Sequence, residues 1–231
     1  MKKLLLTCAA TALAHAAFAQ VEIGLKVSPG LSYFRASSPS ATSFQGDGTK
    51  FSFGGGIFVD YFFGQNYAFN TGLFLTGKGG SYTYTDRTPS LGIGGGLPVT
   101  VKQQLAIQYL EIPATIKLFT NEIAPDTRLY FQVGGTVGFP VGARLNDDKY
   151  YTDTYNNGTQ TKASDHVFAI DANLLGAVGT EFQLGQSTKL LAGISYHHGL
   201  VDLDRYFEKD RGFQDVTIKN SVFALDLGIK F

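Results

Sequence analysis

Two histidines and a serine lie close together near the carboxyl-terminal end of the sequence. Ser195, His197 and His198 fall within four residues, and Glu181 lies on the preceding extended segment. A hydroxyl, an imidazole and a carboxylate are the side chains of many hydrolytic sites. Nothing in this spacing fixes a nucleophile, a base and an orienting acid. We therefore interpret His197 as a polar interior residue and His198 as a residue near an interface, and we predict no catalytic residue and no enzyme.

Two other patterns suggest ligand chemistry only weakly. Gly92 and residues 94–96 form a glycine-rich stretch, but the Lys-Ser/Thr pair and the strand–helix context of a phosphate loop are absent. Four loop acids lack the spacing of a calcium loop: Asp147, Asp148, Asp202 and Asp204. We interpret the first pattern as a surface loop and the second as solvated acids. The sequence thus predicts no metal and no cofactor.

Eight isolated charges stand out because they interrupt a face made of Gly, Ser, Thr and Asn. They are Asp60, Lys78, Glu111, Lys117, Asp171, Glu181, Asp226 and Lys230. A lone buried charge costs several kcal/mol, whereas opposed charges can compensate each other. We expect these side chains to form a polar network inside the protein, so the elements that carry them must enclose an interior.

Those elements are segments that alternate between apolar and polar residues. In one of them Leu110, Ile112 and Ile116 share one parity, and Glu111 and Lys117 share the other. Such a period of two is typical of β-strands. Eight segments show it: residues 21–34, 51–63, 67–84, 105–119, 129–143, 167–184, 189–200 and 223–231. Pro113 interrupts the fourth, and we expect a bulge or a distorted register there.

Short and long connections alternate strictly between the eight segments. Residues 64–66, 120–126 and 184–188 are short, whereas residues 35–50, 85–104, 144–166 and 201–220 are long and polar. All the long connections must therefore emerge at one end, as in transmembrane barrels with tight periplasmic turns and long extracellular loops. The sequence predicts an all-β, eight-stranded antiparallel up-and-down transmembrane β-barrel with both termini in the periplasm. In lipid the sheet must close, so we expect the last strand to pair with the first.

The first residues and the composition agree with an envelope protein. Lys2 and Lys3 precede an apolar run that ends in Ala17-Phe18-Ala19, which is the pattern of a secretory signal peptide. We therefore expect residues 1–19 to be a signal peptide and residues 20–231 to form the barrel domain. Lys and Arg number 19 and so do Asp and Glu, so nothing indicates a nucleic-acid partner.

One stretch carries a family resemblance. Residues 109–117 read YLEIPATIK, and this segment resembles a motif of the outer membrane protein beta-barrel domain family of Bacteroidetes, which includes PorT-like proteins. Gly24, Gly30 and Tyr33 in the first segment are similar to the opening of that family. The resemblance implies a barrel in the outer membrane of a Gram-negative cell. It also implies that Phe231 is the signal recognised by the barrel-assembly machinery, which would be a partner besides outer-membrane lipid.

The sequence favours a role in structure or interaction over chemistry. Eight strands leave an interior that side chains can fill, and tyrosines supply rigid amphipathic contact area. We expect Tyr150, Tyr151 and Tyr155 in the third long loop to form an adhesive or ligand-binding patch. We also expect an unknown extracellular or periplasmic protein partner. The main hypothesis is a non-enzymatic envelope scaffold. Alternatives are a small-solute porin-like channel, an accessory component of a secretion or transport system and, more remotely, a barrel lipid hydrolase or protease.

Overall fold

The computed structural model describes residues 20–38, 43–86, 98–153, 158–213 and 215–231. The predicted signal peptide and Gly92 with residues 94–96 lie outside these ranges. Eight long strands, labelled β1 to β8 in chain order, make up most of the described chain. They are Val21–Ser37, Thr49–Gly64, Tyr67–Asp86, Val99–Phe119, Thr127–Leu145, Asp171–Gln183, Lys189–Gly199 and Thr217–Lys230.

The eight strands form one closed antiparallel barrel. Each strand pairs with the next along the chain, from β1 with β2 to β7 with β8. The ring closes because β8 pairs with β1, in a register that runs from Gly24 opposite Lys230 to Ser37 opposite Thr217. Closure pairs the backbone of both outer strands, so no sheet edge remains. The predicted fold class and strand number are confirmed.

The strands extend further toward the long loops than the sequence indicated. β4 begins at Val99 instead of 105, and β8 begins at Thr217 instead of 223. The paired ladder of β3 and β4 continues to Asp86 opposite Val99. In these extensions the outward positions are polar, as at Thr100, Lys102 and Lys219, so the apolar outer parity that marked the strands ends there. Conversely, β6 begins at Asp171 instead of 167, because Val167 and Phe168, which follow the 3-10 helix Ala163–His166, pair with the backbone of Asp204 and Leu203 in the fourth long loop instead of a neighbouring strand.

Two short elements lie at the end of the barrel that carries the long loops. Gln45–Gly46 pairs with the loop end of β3, beyond its last pair with β2, with Gln45 opposite Thr83. Tyr150–Asp153 and Thr159–Lys162 pair with each other as a separate antiparallel hairpin. Among the described residues, no helix has the length and apolar character needed to cross a bilayer.

The expectation of a bulge at Pro113 is wrong. Pro113 lies opposite Thr136 in an unbroken register with β5, and the register with β3 is the same on either side of it. The bulge lies further up the same strand pair, where Gln108 pairs with Gly142 but Tyr109 pairs with Pro140. The missing proline N–H interrupts the ladder toward β3 without shifting it, because flanking pairs on both sides hold the two strands in line.

The two faces of the barrel differ as the alternation predicts. On β1, Val21, Ile23, Leu25, Val27 and Leu31 each leave about half of their surface exposed on the outer face. Ten residues at about 3.3 Å each, tilted by about 40°, span roughly 25 Å, the height of the apolar band of an outer-membrane barrel. The exposed apolar side chains therefore form a belt of the right height to contact lipid.

Inward glycines make room for large side chains. A Cβ on Gly193 would overlap the hydroxyl of Tyr130, and a Cβ on Gly179 would lie 2.6 Å from the same ring. Tyr130 is 1% exposed and lies across the lumen at the level of these two glycines. At this level of the lumen the two glycines thus leave the space that the Tyr130 ring occupies.

Candidate functional site

The half of the lumen nearest the short turns contains linked ion pairs. Lys230 Nζ lies 2.6 Å from Glu181 Oε1, 2.8 Å from Glu22 Oε2 and 3.1 Å from Asp60 Oδ2. Lys117 Nζ lies 3.0 Å from the same Asp60 oxygen. All five side chains are buried. Asp60 therefore bridges two ammonium groups, and Lys230 joins carboxylates from three strands.

Two more cations enclose this cluster from the turn side. Lys189 Nζ lies 2.5 Å from Glu22 Oε1, and Arg128 Nη2 lies 3.0 Å from Glu181 Oε2. Asn70 donates a hydrogen bond of 2.6 Å to the second oxygen of Asp60. We call this set the turn-end ion network: Glu22, Asp60, Lys117, Arg128, Glu181, Lys189 and Lys230. It cross-links strands from all sides of the barrel, so it fixes the barrel wall and fills that half of the lumen.

The middle of the lumen holds two separate charge clusters. Lys78 Nζ lies 2.5 Å from Glu111 Oε1 and 3.3 Å from Asp171 Oδ2. On the facing wall, Lys26 Nζ lies 3.3 Å from Asp226 Oδ2, and the other oxygen of Asp226 accepts a hydrogen bond of 2.6 Å from the Ser28 hydroxyl. The structure thus places all eight charged residues singled out in the sequence inside the barrel, each beside an opposite charge.

Four further charged residues of these clusters were not singled out in the sequence: Glu22, Lys26, Arg128 and Lys189. Glu22 and Lys26 alternate with Ile23 and Leu25, so the period of two was a usable signal for them. Arg128 and Lys189 lie at the first or second residue of their strands. Strand ends carry no alternation on one side, so parity alone could not assign these two to the lumen.

A small cavity separates the two middle clusters. It offers about 40 Å³ to the centres of water molecules and is lined by Lys26, Lys78, Glu111 and His197, among others. That volume holds about three water molecules and no sizeable solute. The lumen of the described barrel is therefore largely filled with side chains, with this small cavity at mid-height and a further pocket beside Arg128, Glu181 and Lys189 at the turn end.

The residues considered for a hydrolytic site are not arranged as one. Ser195 is buried in the lumen, and its hydroxyl has no hydrogen-bond partner among the described residues. Glu181 is held by Lys230 and Arg128 in the turn-end ion network. His198 faces outward, with its Nδ1 atom 3.2 Å from the Tyr196 hydroxyl. A nucleophile, base and orienting acid are not brought together, so the structure offers no geometry for acyl transfer.

The half of the lumen nearest the long loops is filled by aromatic and aliphatic side chains. Phe44, Leu203 and Phe207 come from the loops and are at most 3% exposed. The rings of Phe44 and Phe207 both pack on the ring of the β3 residue Tyr84, and each centroid lies 5.0 Å from the Tyr84 centroid. We call the inserted loop residues the loop plug: Phe44, Leu203, Tyr206, Phe207 and Phe213. The plug closes the mouth of the barrel from inside.

Polar contacts fasten the loop plug to the rest of the barrel. Arg211 Nη2 lies 2.7 Å from Asp86 Oδ2 at the end of β3. The Tyr206 hydroxyl donates a hydrogen bond of 2.6 Å to Asp153 Oδ2 in the short hairpin. Burial in this apolar environment raises the pKa of Tyr206 above its ordinary value, and the hydrogen bond to the carboxylate raises it further. The neutral phenol is therefore the form that holds the hairpin against the plug.

A buried histidine joins the hairpin to the fourth long loop. The ring of His166 lies against that of Tyr206, with centroids 3.9 Å apart, and its Nε2 atom hydrogen-bonds the Tyr151 hydroxyl. Burial lowers the pKa of His166 to about 4, because an imidazolium would lose its hydration there. His166 is therefore neutral at physiological pH.

The loop acids considered as calcium ligands hold backbone amides. Asp204 accepts hydrogen bonds from the amides of Tyr206, Phe207 and Glu208, and Asp202 accepts one from Ile218. Burial raises the pKa of Asp204 to about 6. Asp147 and Asp148 are exposed in the turn after β5. In the part of the chain that the structure describes, no three acidic, His or Cys side chains are grouped as metal ligands.

The structure separates the tyrosines of the expected loop patch. Tyr150 is 53% exposed, whereas Tyr151 points toward His166 because neighbours on a strand face opposite ways. Tyr155 lies outside the described residues. Of the two described tyrosines, only Tyr150 is presented to solvent as a contact residue.

Phe231 lies on the outer surface beside the first strand. Its side chain is 59% exposed. Its amide donates to the Ile23 carbonyl at 2.9 Å, and the Ile23 amide donates back at 3.2 Å. The last residue thus completes the seam between β8 and β1 and leaves its ring at the turn end of the apolar belt.

Three solved structures are similar to the chain over most of its length. Neisserial surface protein A is 10% identical with a TM-score of 0.44, over 92% of this chain and 97% of that chain. OprG from Pseudomonas aeruginosa is 12% identical with a TM-score of 0.45, over 90% and 95%. Ail of Yersinia pestis, the attachment invasion locus protein, is 13% identical with a TM-score of 0.37, over 92% and 99%.

The sequence itself assigns the family. No curated protein matches the chain. The family model described as "Outer membrane protein beta-barrel domain" matches residues 18–205, which is most of the sequence and includes seven of the eight strands. The closed barrel, the apolar belt and this match agree, and the chain belongs to the outer membrane protein beta-barrel domain family.

Proposed function

We propose that this protein is a non-enzymatic, non-conducting outer-membrane barrel that presents its long loops as a fixed interaction surface outside the cell. Residues 1–19 would be removed on export. The short turns and both ends of the barrel domain would face the periplasm, as in barrels of this architecture. Phe231 would then lie where the assembly machinery meets the folding barrel.

The observation that carries this proposal is that both halves of the lumen are filled. The turn-end ion network occupies one half, and the loop plug occupies the other. Eight strands leave an interior only wide enough for side chains. A solute would have to break several buried ion pairs and also displace the plug, and this obstruction argues against the porin-like alternative.

The loop plug also favours a binding role. Contacts such as Arg211 with Asp86 and Tyr206 with Asp153 hold the fourth long loop and the hairpin in one arrangement. A surface that is already ordered loses less conformational entropy when it binds, which strengthens binding. The exposed ring of Tyr150 stands on that surface. We infer that this face binds a protein partner. One such partner would be a secretion complex, with this barrel as its accessory component.

Planar-bilayer recordings test the closed lumen. Purified protein should show no large stable conductance, and the Phe207→Ser variant should also stay closed because the ion network remains intact. Large stable openings of the wild-type protein would overturn the proposal and establish the channel alternative.

Site-specific photo-crosslinking in cells tests the interaction surface. A photoreactive residue at Tyr150 should capture a defined protein, whereas the same residue at the lipid-facing position Phe131, which is 50% exposed, serves as the matched control. A crosslinking pattern identical at the two positions would contradict a specific role for the hairpin.

A further inference from the structure

Three successive rows of outward-facing residues cross β1, β8 and β7 at the long-loop end of the barrel. From mid-barrel toward the loops, the rows are Leu31, Phe223 and Tyr196; then Tyr33, Ser221 and His198; then Arg35 and Lys219. From one row to the next the side chains change from apolar, through a phenol and an imidazole, to cationic, and the whole change takes four residues along a strand. This gradient is the one that a protein surface shows where it leaves the hydrocarbon core of a membrane.

The height of the cationic row places it among lipid headgroups. Leu31 and Phe223 are more than half exposed and end the apolar belt on their strands. Along the membrane normal, two residues of a tilted strand rise by about 5 Å, and four residues rise by about 10 Å. Tyr33 therefore lies at the interface, and Arg35 and Lys219 lie in the polar layer next to it.

The two cations are directly opposed. Arg35 pairs with Lys219 in the register of β1 and β8, and like charges in this position repel each other. Among the described residues, neither side chain takes part in an ion pair. The carboxylates that neutralise the lumen cations face the interior and cannot reach this outer face. The pair is thus a site of positive charge that an external anion would stabilise.

Arg35 is also fixed in place. Its Nε atom donates a hydrogen bond of 2.9 Å to Ser221 Oγ, and its Nη2 atom donates one of 2.5 Å to the Gly199 carbonyl. These bonds lay the guanidinium across β8 toward β7. A guanidinium held in this way is preorganised for an oxyanion, and little side-chain entropy remains to be lost on binding.

Polar groups of the middle row lie next to Arg35, because Ser221 Oγ accepts both from Arg35 Nε and, at 3.4 Å, from the Tyr196 hydroxyl. The hydroxyl of Tyr196 lies 3.2 Å from His198 Nδ1 and 3.5 Å from the hydroxyl of Tyr33. Beneath them, the ring of Tyr196 packs on Phe223 with centroids 4.5 Å apart. The surface therefore offers cations at one height, O–H and N–H groups just below and an apolar wall below those.

We propose that Arg35 and Lys219 bind the phosphate group of a lipid in the leaflet that faces the long loops. The guanidinium would supply fork-shaped donors, and the ammonium would supply a second positive charge. The acyl chains of the same lipid would run along Leu31 and Phe223. The lipid is an outer-leaflet phosphoglycolipid if the orientation proposed above holds, and the inference rests on that orientation.

Binding of a defined lipid to the purified protein tests this site. Titration with lipid A, which carries phosphate, in a neutral maltoside detergent is followed by native mass spectrometry. A neutral glycolipid serves as the comparison ligand. Lys219→Gln, which breaks no hydrogen bond seen in the structure, should weaken lipid A binding about fivefold, and adding Arg35→Gln should bring the loss to tenfold or more. Binding of the neutral glycolipid should not change.

The matched control is Arg144→Gln. Arg144 is also an exposed cation at the long-loop end, but it lies on β5 opposite Ala106 instead of a second cation. Folding of each variant is checked by electrophoretic mobility without heating and by far-UV circular dichroism. Equal weakening by Arg144→Gln, or unchanged lipid A affinity in Lys219→Gln, would overturn the site.

Inorganic phosphate separates the two sources of the anion. If the site needs a lipid-borne phosphate, millimolar inorganic phosphate should displace little lipid A. Complete displacement at that concentration would refute the lipid and identify free phosphate as the ligand. None of these outcomes bears on conductance, so failure of the lipid site and failure of the closed-lumen proposal are distinguishable.

Discussion

Replacing Asp60 by Asn should destabilise the barrel more than any exposed charge change. Asp60 Oδ2 contacts both Lys117 and Lys230. Lys230 would keep Glu22 and Glu181 as partners. Lys117 has no other carboxylate within ion-pair distance among the described residues and is 2% exposed. The variant therefore leaves a buried ammonium without a counter-charge.

The expected magnitude follows from burial. Removing one partner of a buried ion pair costs about 3–5 kcal/mol of the free energy of unfolding. The matched control is Asp47→Asn, which breaks the pair of Asp47 with Lys102 at 2.8 Å, where the side chains are 46% and 63% exposed. Such a pair contributes about 0–1 kcal/mol. The same chemical change should thus differ by at least about 2 kcal/mol between the two sites.

Urea unfolding of the barrel reconstituted in lipid vesicles measures this difference. The chain contains no tryptophan, so far-UV circular dichroism and electrophoretic mobility report folding. Adding Lys117→Met to Asp60→Asn should restore part of the loss, because the unpaired charge is removed. If Asp60→Asn lies within about 1 kcal/mol of wild type, or if the second change restores nothing, the network does not stabilise the barrel as argued.

Three further predictions address the loops, the lumen glycines and assembly. Because burial lowers the pKa of His166 to about 4 from 6.5, the folded state binds fewer protons at this group, and His166 alone should cost the plug about 2 kcal/mol as pH falls from 7 to 5, while Asp204, whose pKa burial raises to about 6, offsets part of that loss. Hydrogen exchange of residues 201–213 should show this loss in wild type and less of it in His166→Gln; equal pH dependence would contradict it. Gly193→Ala should cost about 1–3 kcal/mol by crowding Tyr130, and Gly176→Ala, with no atom within 4 Å of the new Cβ, should be near neutral in the same urea assay. Deleting Phe231 should lower the amount of barrel assembled in cells while protein refolded in detergent keeps its strand content; normal assembly would exclude an assembly signal there.

The strands were predictable because lipid imposes a continuous apolar parity on them. Residues such as Ile23, Leu25 and Ile112 mark most of the outer face through the belt. Beyond the belt the outer residues no longer contact lipid and need not be apolar. The sequence pattern therefore predicts the starts of β4 and β8 about six residues too late. The backbone ladder continues there, as in Asp86 opposite Val99, but the outward residues Thr100 and Lys102 are polar, so the apolar outer face no longer marks the strand.

The partners inside the lumen could not be predicted from parity. Parity shows that Lys230 and Asp60 face inward, but not that they meet at one height. Height depends on the stagger of each strand around the closed ring, which the chain sets through turn lengths and the register of every pair. The 170 residues between Asp60 and Lys230 are brought together only by closure of β8 on β1.

The loop plug was missed for a different reason. Phe44 and Phe207 lie in polar, irregular stretches, where a single aromatic residue does not indicate burial. Their burial depends on the unfilled space at the barrel mouth, which exists only once the strands have closed. Inspection for isolated aromatic residues in the long loops would have been the one available signal.

The two fillings of the lumen have separate consequences for function. The turn-end ion network is made by strand residues and touches no residue of the loop plug, so the barrel wall is held independently of the loops. Changes in the plug, such as loss of the Arg211 pair with Asp86, should therefore loosen the loops without opening the wall, because local stability follows local contacts. Substitutions in the loops are therefore compatible with an intact barrel, which suits a surface used for recognition. Because the loops are stabilised separately from the wall, we expect the function of this barrel to lie at the hairpin and the fourth loop.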